Sequence, residues 1–237
     1  MPAAENFRLP RTDEHVAILG CTGSGKTTLA SFILSKMPFD RMPYICIDYK
    51  GDDLLASIDR LVEIGPNELP TKPGLYVLRP LPSQEDEVEN WLWKVWQRGS
   101  TGLYIDEAYL LPNKAAIKNI LAQGRSLRIP GIFASQRPVD VPRSIFTEAA
   151  HIAVFRLNDD RDRATVREFT PQGMIPKKGG MRLPDYHAFW YNVKDHKSDD
   201  QTPWFVVQPV PHADIIVERI NERLAPTDED LASDEAL

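Results

Sequence analysis

The sequence of 237 residues lacks any apolar run long enough to span a membrane. A transmembrane helix needs about 20 consecutive apolar residues, so we predict no membrane-spanning segment. Residues 1–15 also carry no apolar run, and we therefore expect no secretory signal. Cysteine is scarce as well, and Cys21 and Cys46 match no metal-ligand spacing. Two such cysteines fit a reducing compartment and require no disulfide bond.

The composition excludes a globally disordered chain, because 42% of the residues are hydrophobic and 26% are charged. The net charge of -6 is unevenly spread. Residues 226–237 hold five acids and no base, whereas residues 123–182 hold eleven Arg or Lys against six acids. That basic stretch fits either an ordinary solvated surface or a polyanionic partner, and composition does not separate the two.

Short apolar segments alternate with helical patterns along most of the chain. Strands are predicted at residues 15–19, 44–47, 75–78, 102–105, 131–135, 152–155, 188–191 and 204–207. Helices are predicted at 27–37, 85–98, 114–123 and 212–224. Continuous apolar strands indicate an α/β fold, with a mainly parallel sheet covered by helices on both faces. The last two strands are expected to add antiparallel edge strands.

The length suits one domain. We predict a single domain over residues 1–225, with a core at about 14–170 and a C-terminal β addition at 171–225. The acidic residues 226–237 are expected to form a mobile tail.

A phosphate-binding motif follows the first predicted strand. The segment GCTGSGKT fits the pattern G-x-x-x-x-G-K-[ST], with a strand before it and a helix after it. Its glycines let the backbone curl so that successive N–H groups converge on phosphate oxygens, and the helix N-terminus favours the same anion. The nucleotide-binding residues are predicted to be Gly20, Cys21, Thr22, Gly23, Ser24, Gly25, Lys26, Thr27 and Thr28. Lys26 can reach the β- and γ-phosphates, and the Thr27 hydroxyl can ligate Mg²⁺.

Two further segments complete a candidate hydrolytic site. The apolar strand 102–105 delivers Asp106 to the metal, and Glu107 then lies where a base could orient the attacking water. Gln136 follows the strand 131–135, and its amide can both donate and accept a hydrogen bond, which suits sensing of a phosphate or a water. A glutamate beside the metal-binding aspartate favours nucleotide hydrolysis over phosphorylation of a small molecule.

These motifs together resemble the FtsK–HerA superfamily of P-loop ATPases. The resemblance covers roughly residues 14–170. It is carried by GCTGSGKT at 20–27, IDYKGDD at 47–53, YIDEA at 104–108, GRSLRIPGIFASQRP at 124–138 and FRLND at 155–159. Members of this superfamily are hexameric ring motors that translocate DNA. Small members of about this length resemble the genome-packaging ATPases of icosahedral viruses with an internal membrane and of related phages.

The resemblance implies a RecA-like sheet ordered 5-1-4-3-2, with Gln136 between Lys26 and Glu107. It also implies that Lys26 and Thr27 bind phosphate and metal, that Asp106 assists the metal, that Glu107 is the catalytic base and that Gln136 is the sensor.

An arginine from a neighbouring subunit is expected to complete such a site. Arg125 best matches the family position, Arg128 is the reserve and Arg143 comes third. Asp48 and Lys50 match an acidic position after the second strand, and a structural or a supporting role remains open for both.

We therefore expect an ATP-hydrolysing, Mg²⁺-dependent translocase that packages double-stranded DNA into a preformed viral capsid. Its expected partners are double-stranded DNA, capsid or vertex proteins, and copies of itself in a ring, with six members favoured over five. The expected location is the virion or the host cytoplasm. The alternatives are a HerA-type helicase, a conjugation-type DNA transporter, and an ATP-gated assembly protein without DNA contact.

Overall fold

The computed structural model describes residues 8–112, 115–177, 179–193 and 204–225. Nine strands lie at His15–Leu19 (β1), Pro43–Asp48 (β2), Val62–Ile64 (β3), Gly74–Leu78 (β4), Gly102–Asp106 (β5), Gly131–Ser135 (β6), Ala149–Val154 (β7), Ala188–Asn192 (β8) and Trp204–Val207 (β9). They form one sheet in the order β3-β4-β2-β5-β6-β1-β7-β8-β9. The acidic segment 226–237, predicted to be mobile, lies outside the described residues.

The centre of this sheet has the predicted order. Strands β7, β1, β6, β5 and β2 lie side by side, which is 5-1-4-3-2 when these five are counted along the chain. Every pairing among them is parallel. Strands β4 and β3 continue the parallel sheet beyond β2.

The C-terminal strands extend the other edge, as the sequence predicted. Strand β8 pairs antiparallel with β7, and β9 pairs antiparallel with β8. Aromatic side chains join the last two strands, since Trp190 is in register with Phe205 and the rings of Phe189 and Trp204 meet edge to face. Such cross-strand aromatic pairs stabilise an edge addition.

Helices cover both faces of the sheet. They lie at Lys26–Leu34 (α1), Asp53–Ala56 (α2), Glu85–Arg98 (α3), Ala115–Leu127 (α4), Arg143–Glu148 (α5), Asp160–Arg167 (α6) and Ala213–Leu224 (α7). In β1, Ala17 and Leu19 pack into the apolar cluster that contains α3 and α4, while Val16 and Ile18 pack into the cluster that contains α1 and α7. Successive strand residues point to opposite faces, so a sheet covered on both sides requires the continuous apolar runs seen in the sequence.

None of the helices in the described residues is long and apolar enough to cross a membrane. In the parallel part of the sheet, the carboxyl ends of the strands meet at one edge. Strands β1, β2, β5 and β6 bring four chain segments to that edge, and each of these segments carries a polar residue singled out above.

Candidate active site

The loop between β1 and α1 is held on both sides by its neighbouring strands. The Gly20 amide donates to the Ser135 carbonyl (3.2 Å), and the Cys21 amide donates to the Arg156 carbonyl (2.9 Å). Gly20 is sterically required, because a Cβ there would lie 2.5 Å from the Phe155 Cβ. Gly25 has a φ of 100°, which favours glycine, and helix α1 begins at the next residue.

The helix start presents backbone donors and a buried ammonium group. The amides of Gly23, Gly25, Lys26 and Thr27 form no hydrogen bond to a described residue, which suits an anion-binding helix N-terminus. Lys26 is buried, and its Nζ donates to the Cys21 carbonyl at 3.0 Å. Burial lowers the pKa of Lys26, and the negative charges of Glu107 and Asp106 counteract part of that shift. The Lys26 ammonium group thus lies beside the loop between β1 and α1, close to the carboxylates of Asp106 and Glu107.

Asp106 and Thr27 meet through a buried tyrosine that the sequence did not single out for function. The Tyr104 hydroxyl lies 3.4 Å from Asp106 Oδ1 and also hydrogen-bonds to the Thr27 side chain. Tyr104 and Asp106 are two residues apart on β5, so their side chains share one face of the sheet. Burial, followed by the charge of Glu107, raises the pKa of Asp106 to about 6. The oxygen atoms predicted to ligate a metal are therefore close together.

Glu107 lies at a bend and is held from two sides. Its φ of 58° falls in the left-handed region, which is uncommon for a residue other than glycine and often marks a functional position. Lys50 Nζ forms a short ion pair with Glu107 Oε1. The backbone N–H of Gln136 donates to Glu107 Oε2 at 3.4 Å. The predicted base is thus buried and bound by groups from the ends of β2 and β6.

Gln136 links the P-loop, residues 20–27 between β1 and α1, to the segment that follows Glu107. Its Oε1 accepts a short hydrogen bond from the Thr22 hydroxyl, and its Nε2 donates to the Tyr109 hydroxyl at 3.3 Å. Because β6 lies between β1 and β5, Gln136 lies between the loop of Lys26 and the carboxylate of Glu107. This is the location that the resemblance implied.

The turn after β2 is organised by Asp48, a buried residue at the strand end. One carboxylate oxygen accepts from the amides of Lys50 (3.2 Å) and Gly51 (2.8 Å), and the other accepts from Arg79 Nε at 3.2 Å. Asp48 therefore has a structural function in this turn. Lys50 instead contacts Glu107 directly, which the sequence left open because the two residues are far apart along the chain.

A cavity of about 390 Å³ adjoins the P-loop on the side of the C-terminal strands. It is lined by Gly25 and Thr28, by the rings of Phe155 and Tyr186, and by the segment 207–213. Tyr186 is 59% exposed and has a φ of 60°. No local pattern predicted this cavity, because its wall forms only when the C-terminal addition packs beside the loop.

Two of the candidate arginines, Arg125 and Arg128, lie away from the P-loop of their own chain. Arg125 is in the last turn of α4, and its Nε lies 3.1 Å from Asp13 Oδ2, just before β1. The P-loop follows the other end of β1, and a five-residue strand spans about 16 Å. Arg128 is near the same end, because its carbonyl accepts from the amide of Thr101 beside β5 (3.2 Å).

The third candidate, Arg143, begins α5 and pairs with Glu168 at 2.7 Å. All three assignments concern a neighbouring subunit and stay predictions.

The fold and this set of side chains define a P-loop nucleoside triphosphatase with a RecA-like sheet. A family model described as the central domain of helicase HerA matches residues 9–70. The chain is 37% identical over 222 residues to the DNA packaging ATPase P9 of Enterobacteria phage PRD1, covering 91% of this chain and 95% of that protein. The chain therefore belongs to the FtsK–HerA superfamily and, within it, to the family of that phage protein.

Solved structures share the fold at lower identity. The genome packaging NTPase B204 of Sulfolobus turreted icosahedral virus 2, in complex with sulfate, is 20% identical with a TM-score of 0.67 and covers 85% of this chain and 99% of that chain. The ATPase 2 and 3 region of EssC from Geobacillus thermodenitrificans is 13% identical with a TM-score of 0.57, covering 90% of this chain and 44% of that chain. Both comparisons confirm the predicted fold class.

Proposed function

We propose that this protein is an ATPase that drives double-stranded DNA into a preformed viral capsid. One observation carries the proposal. The P-loop, Asp106, Glu107 and Gln136 meet at a single edge of the sheet, in a chain 37% identical to a phage DNA packaging ATPase. A structural relative, the NTPase B204, has been solved with AMPPCP, which supports a nucleotide as the ligand here.

The triphosphate binds at the loop of residues 20–27. The amides at the start of α1 and the Lys26 ammonium supply the positive field. Lys26 exchanges its hydrogen bond with the Cys21 carbonyl for one with a phosphate oxygen when the nucleotide enters. Thr22 lies at the same loop and connects it to Gln136, so the state of the phosphate site can reach the sensor.

The residues present fit Mg²⁺, which prefers oxygen ligands. The Thr27 hydroxyl and the Asp106 carboxylate are joined through Tyr104, and the raised pKa of Asp106 marks a buried carboxyl group that a nearby cation would stabilise in its charged form. Thr27 and Asp106 would hold the ion. When bound, Mg²⁺ neutralises charge on the phosphates.

The nucleoside occupies the cavity beside the P-loop. Its wall is mostly apolar, with two aromatic rings and four prolines or valines of the segment 207–213. A purine base stacks favourably on such rings. The cavity touches Gly25 and Thr28, which places it next to the phosphate-binding helix start, as a contiguous nucleotide requires.

Hydrolysis requires a base and charge stabilisation. Glu107 orients the attacking water, Lys26 and an arginine of the neighbouring subunit stabilise the charge on the transferred phosphoryl group, and Gln136 senses whether the γ-phosphate is present. Subunits form a ring, with six members favoured over five. The ring acts on double-stranded DNA and docks on capsid or vertex proteins, in the virion or the host cytoplasm. Residues 1–225 serve as the single motor domain.

The test is an ATPase assay on the purified protein, with and without Mg²⁺ and double-stranded DNA, alongside the variant Glu107→Gln. We expect this variant to bind ATP with unchanged affinity and to lose about 100-fold or more in kcat, because only water activation is removed. Glu218→Gln, an exposed change on α7, is the matched control. Wild-type turnover in Glu107→Gln would refute the assigned base.

DNA binding separates the proposal from an assembly protein without DNA contact. A DNA translocase contacts phosphates through Lys and Arg, so its affinity for duplex DNA should fall steeply with salt concentration. ATP hydrolysis that is neither stimulated by DNA nor accompanied by salt-dependent DNA binding would favour the assembly protein.

A further inference from the structure

The ion pair between Lys50 and Glu107 links the turn after β2 to the carboxylate assigned as the base. Lys50 Nζ contacts Glu107 Oε1, and the two residues follow the ends of the neighbouring strands β2 and β5. We propose that Lys50 is a positioning residue for the ATPase reaction, which fixes the Glu107 carboxylate in the orientation from which it directs the water. The inference rests on the proposed function.

The backbone of Glu107 does not by itself fix the direction of its side chain. Its left-handed conformation ends the regular strand β5, and a short 3₁₀ turn begins at the next residue. The orientation of the carboxylate therefore depends on its contacts. Lys50 binds one oxygen. The backbone N–H of Gln136, at 3.4 Å, is the weaker partner of the other. Lys50 provides the stronger, charge-assisted restraint.

The turn that carries Lys50 is itself well braced. Asp48 accepts hydrogen bonds from the amides of Lys50, Gly51 and Asp52, at 3.2, 2.8 and 3.0 Å. Arg79 holds Asp48 in turn and also pairs with Glu63. The Lys50 backbone is thus fixed by one buried carboxylate, so its ammonium group is delivered to Glu107 from a rigid support. Positioning of this kind requires such a support.

The exposure of the two partners differs in the way expected for a positioning pair. The Glu107 side chain is 5% exposed, whereas the Lys50 side chain is 43% exposed. The carboxylate faces the site interior beside Lys26 and Asp106. The lysine stem reaches it from the open side and leaves the rest of the carboxylate free for a water, since each carboxylate oxygen accepts more than one hydrogen bond.

The experiment compares Lys50→Met and Lys50→Arg with the wild type. Lys50→Met keeps the stem length without the charge, and we expect kcat to fall about 10- to 100-fold while the ATP dissociation constant stays within about twofold, because positioning affects the chemical step. Lys50→Arg retains a donor for the carboxylate and should recover most of kcat. Lys94→Met on the exposed side of α3 is the matched control.

A double variant tests whether Lys50 acts through Glu107. If it does, Lys50→Met in the Glu107→Gln background causes little further loss of kcat. An independent further loss, a kcat that rises in Lys50→Met, or a loss of ATP affinity matching the loss of kcat would each overturn the proposal. Failure of the proposed function looks different, because the wild-type protein would then show no Mg²⁺-dependent hydrolysis.

If Lys50→Met does not fold, Lys50→Ala, which also lacks a donor for the carboxylate, replaces it with the same expectations. Its unfolding temperature is compared with that of the wild type to verify the fold. A Lys50→Ala protein that is folded and has wild-type kcat would also overturn the proposal.

Discussion

His151 lies fully buried at the amino end of the sheet, between two polar partners. Its Nε2 is 3.1 Å from Glu14 Oε2, and its Nδ1 is 2.8 Å from Asn192 Oδ1. Burial raises the pKa of Glu14, but hydrogen bonds from Arg8, from the Arg11 amide and from His151 outweigh it and lower the value to about 2. This cluster is remote from the nucleotide site, so its contribution is to stability.

Replacing Glu14 with Gln should therefore destabilise the fold in a pH-dependent way. A carboxyl group with a depressed pKa in the folded state stabilises above its unfolded pKa, here about 4.5, and this stabilisation is lost as the pH falls towards about 2. At pH 7 we expect Glu14→Gln to reduce the free energy of unfolding by on the order of 1–2 kcal/mol, since partial exposure of Arg8 screens the pair.

Urea unfolding of Glu14→Gln and the wild type between pH 7 and pH 3 measures this effect, with Glu218→Gln as the control. The difference between Glu14→Gln and the wild type should narrow as the pH falls below about 4.5. A difference that stays constant across this range would show that the Glu14 charge does not carry the stabilisation.

The Tyr186 ring lies next to the P-loop. Its Cδ1 would be 3.2 Å from a Cβ placed on Gly25. If the purine base of ATP stacks in the adjoining cavity, Tyr186→Ala should raise the KM for ATP about 10-fold with little change in kcat. The reason is that stacking of a nucleobase on an aromatic ring contributes roughly 1–3 kcal/mol. Tyr186→Phe keeps the ring and should match the wild type. Steady-state kinetics measure both constants, and an unchanged KM in Tyr186→Ala would show that the purine base binds elsewhere.

At the scale of elements, the end of α3 depends on one glycine. Gly99 has a φ of 67° and a ψ of -166°, a conformation that is nearly exclusive to glycine. A Cβ there would lie 2.7 Å from the Leu127 carbonyl oxygen, and the neighbouring Ser100 amide donates to that same oxygen at 2.7 Å. This contact joins the end of α3 to the end of α4.

Gly99→Ala should therefore lower the free energy of unfolding by about 2–3 kcal/mol, because the substitution combines backbone strain with a clash against backbone. The control is Gly65→Ala, where a Cβ meets nothing within 4 Å and φ is not in the left-handed region. Urea unfolding midpoints compare the two. Equal midpoints for both variants would show that the α3–α4 junction relaxes freely.

The elements that sequence reasoning found, and those it missed, differ in apolar content. The central strands were predicted because both of their faces are buried, which leaves long apolar runs. Strand β3 was not predicted because it has only three residues, two of them exposed. Helix α6 was not predicted because its sequence, DRDRATVR, has little apolar periodicity. It is supported instead by the Asp159 cap and by Arg163, whose guanidinium donates to the Leu157 carbonyl at 2.8 Å.

The same distinction holds at the site. The P-loop and the pair Asp106-Glu107 were predicted because each is a local motif at a strand end. The contact of Lys50 with Glu107 and the Tyr104 bridge were not, since they depend on which strands become neighbours and on which face each side chain takes. Sequence patterns thus identified the chemical groups, while their connections required the sheet order.

At the scale of the whole molecule, the predicted role of Arg125 would divide the proposed site between two subunits. Its guanidinium lies beside Asp13, at the end of β1 opposite to the P-loop, so any part that it plays in hydrolysis would be at the site of a neighbouring copy. In a ring with head-to-tail interfaces, each site then combines Lys26 and Glu107 of one subunit with Arg125 of the next. Arg125→Ala and Glu107→Gln would each inactivate a uniform ring.

Mixing these two inactive proteins should restore hydrolysis. A site is intact where an Arg125→Ala subunit supplies Glu107 and the neighbouring Glu107→Gln subunit supplies Arg125. Random assembly of a 1:1 mixture makes about a quarter of all sites intact. Mixing Glu107→Gln with Lys26→Ala is the matched control, because both defects fall in the same half of the site and no intact site can form. ATPase activity across mixing ratios decides. If Arg125→Ala gives no more recovery than Lys26→Ala, Arg125 does not act across the interface, and Arg128 and then Arg143 enter the same experiment.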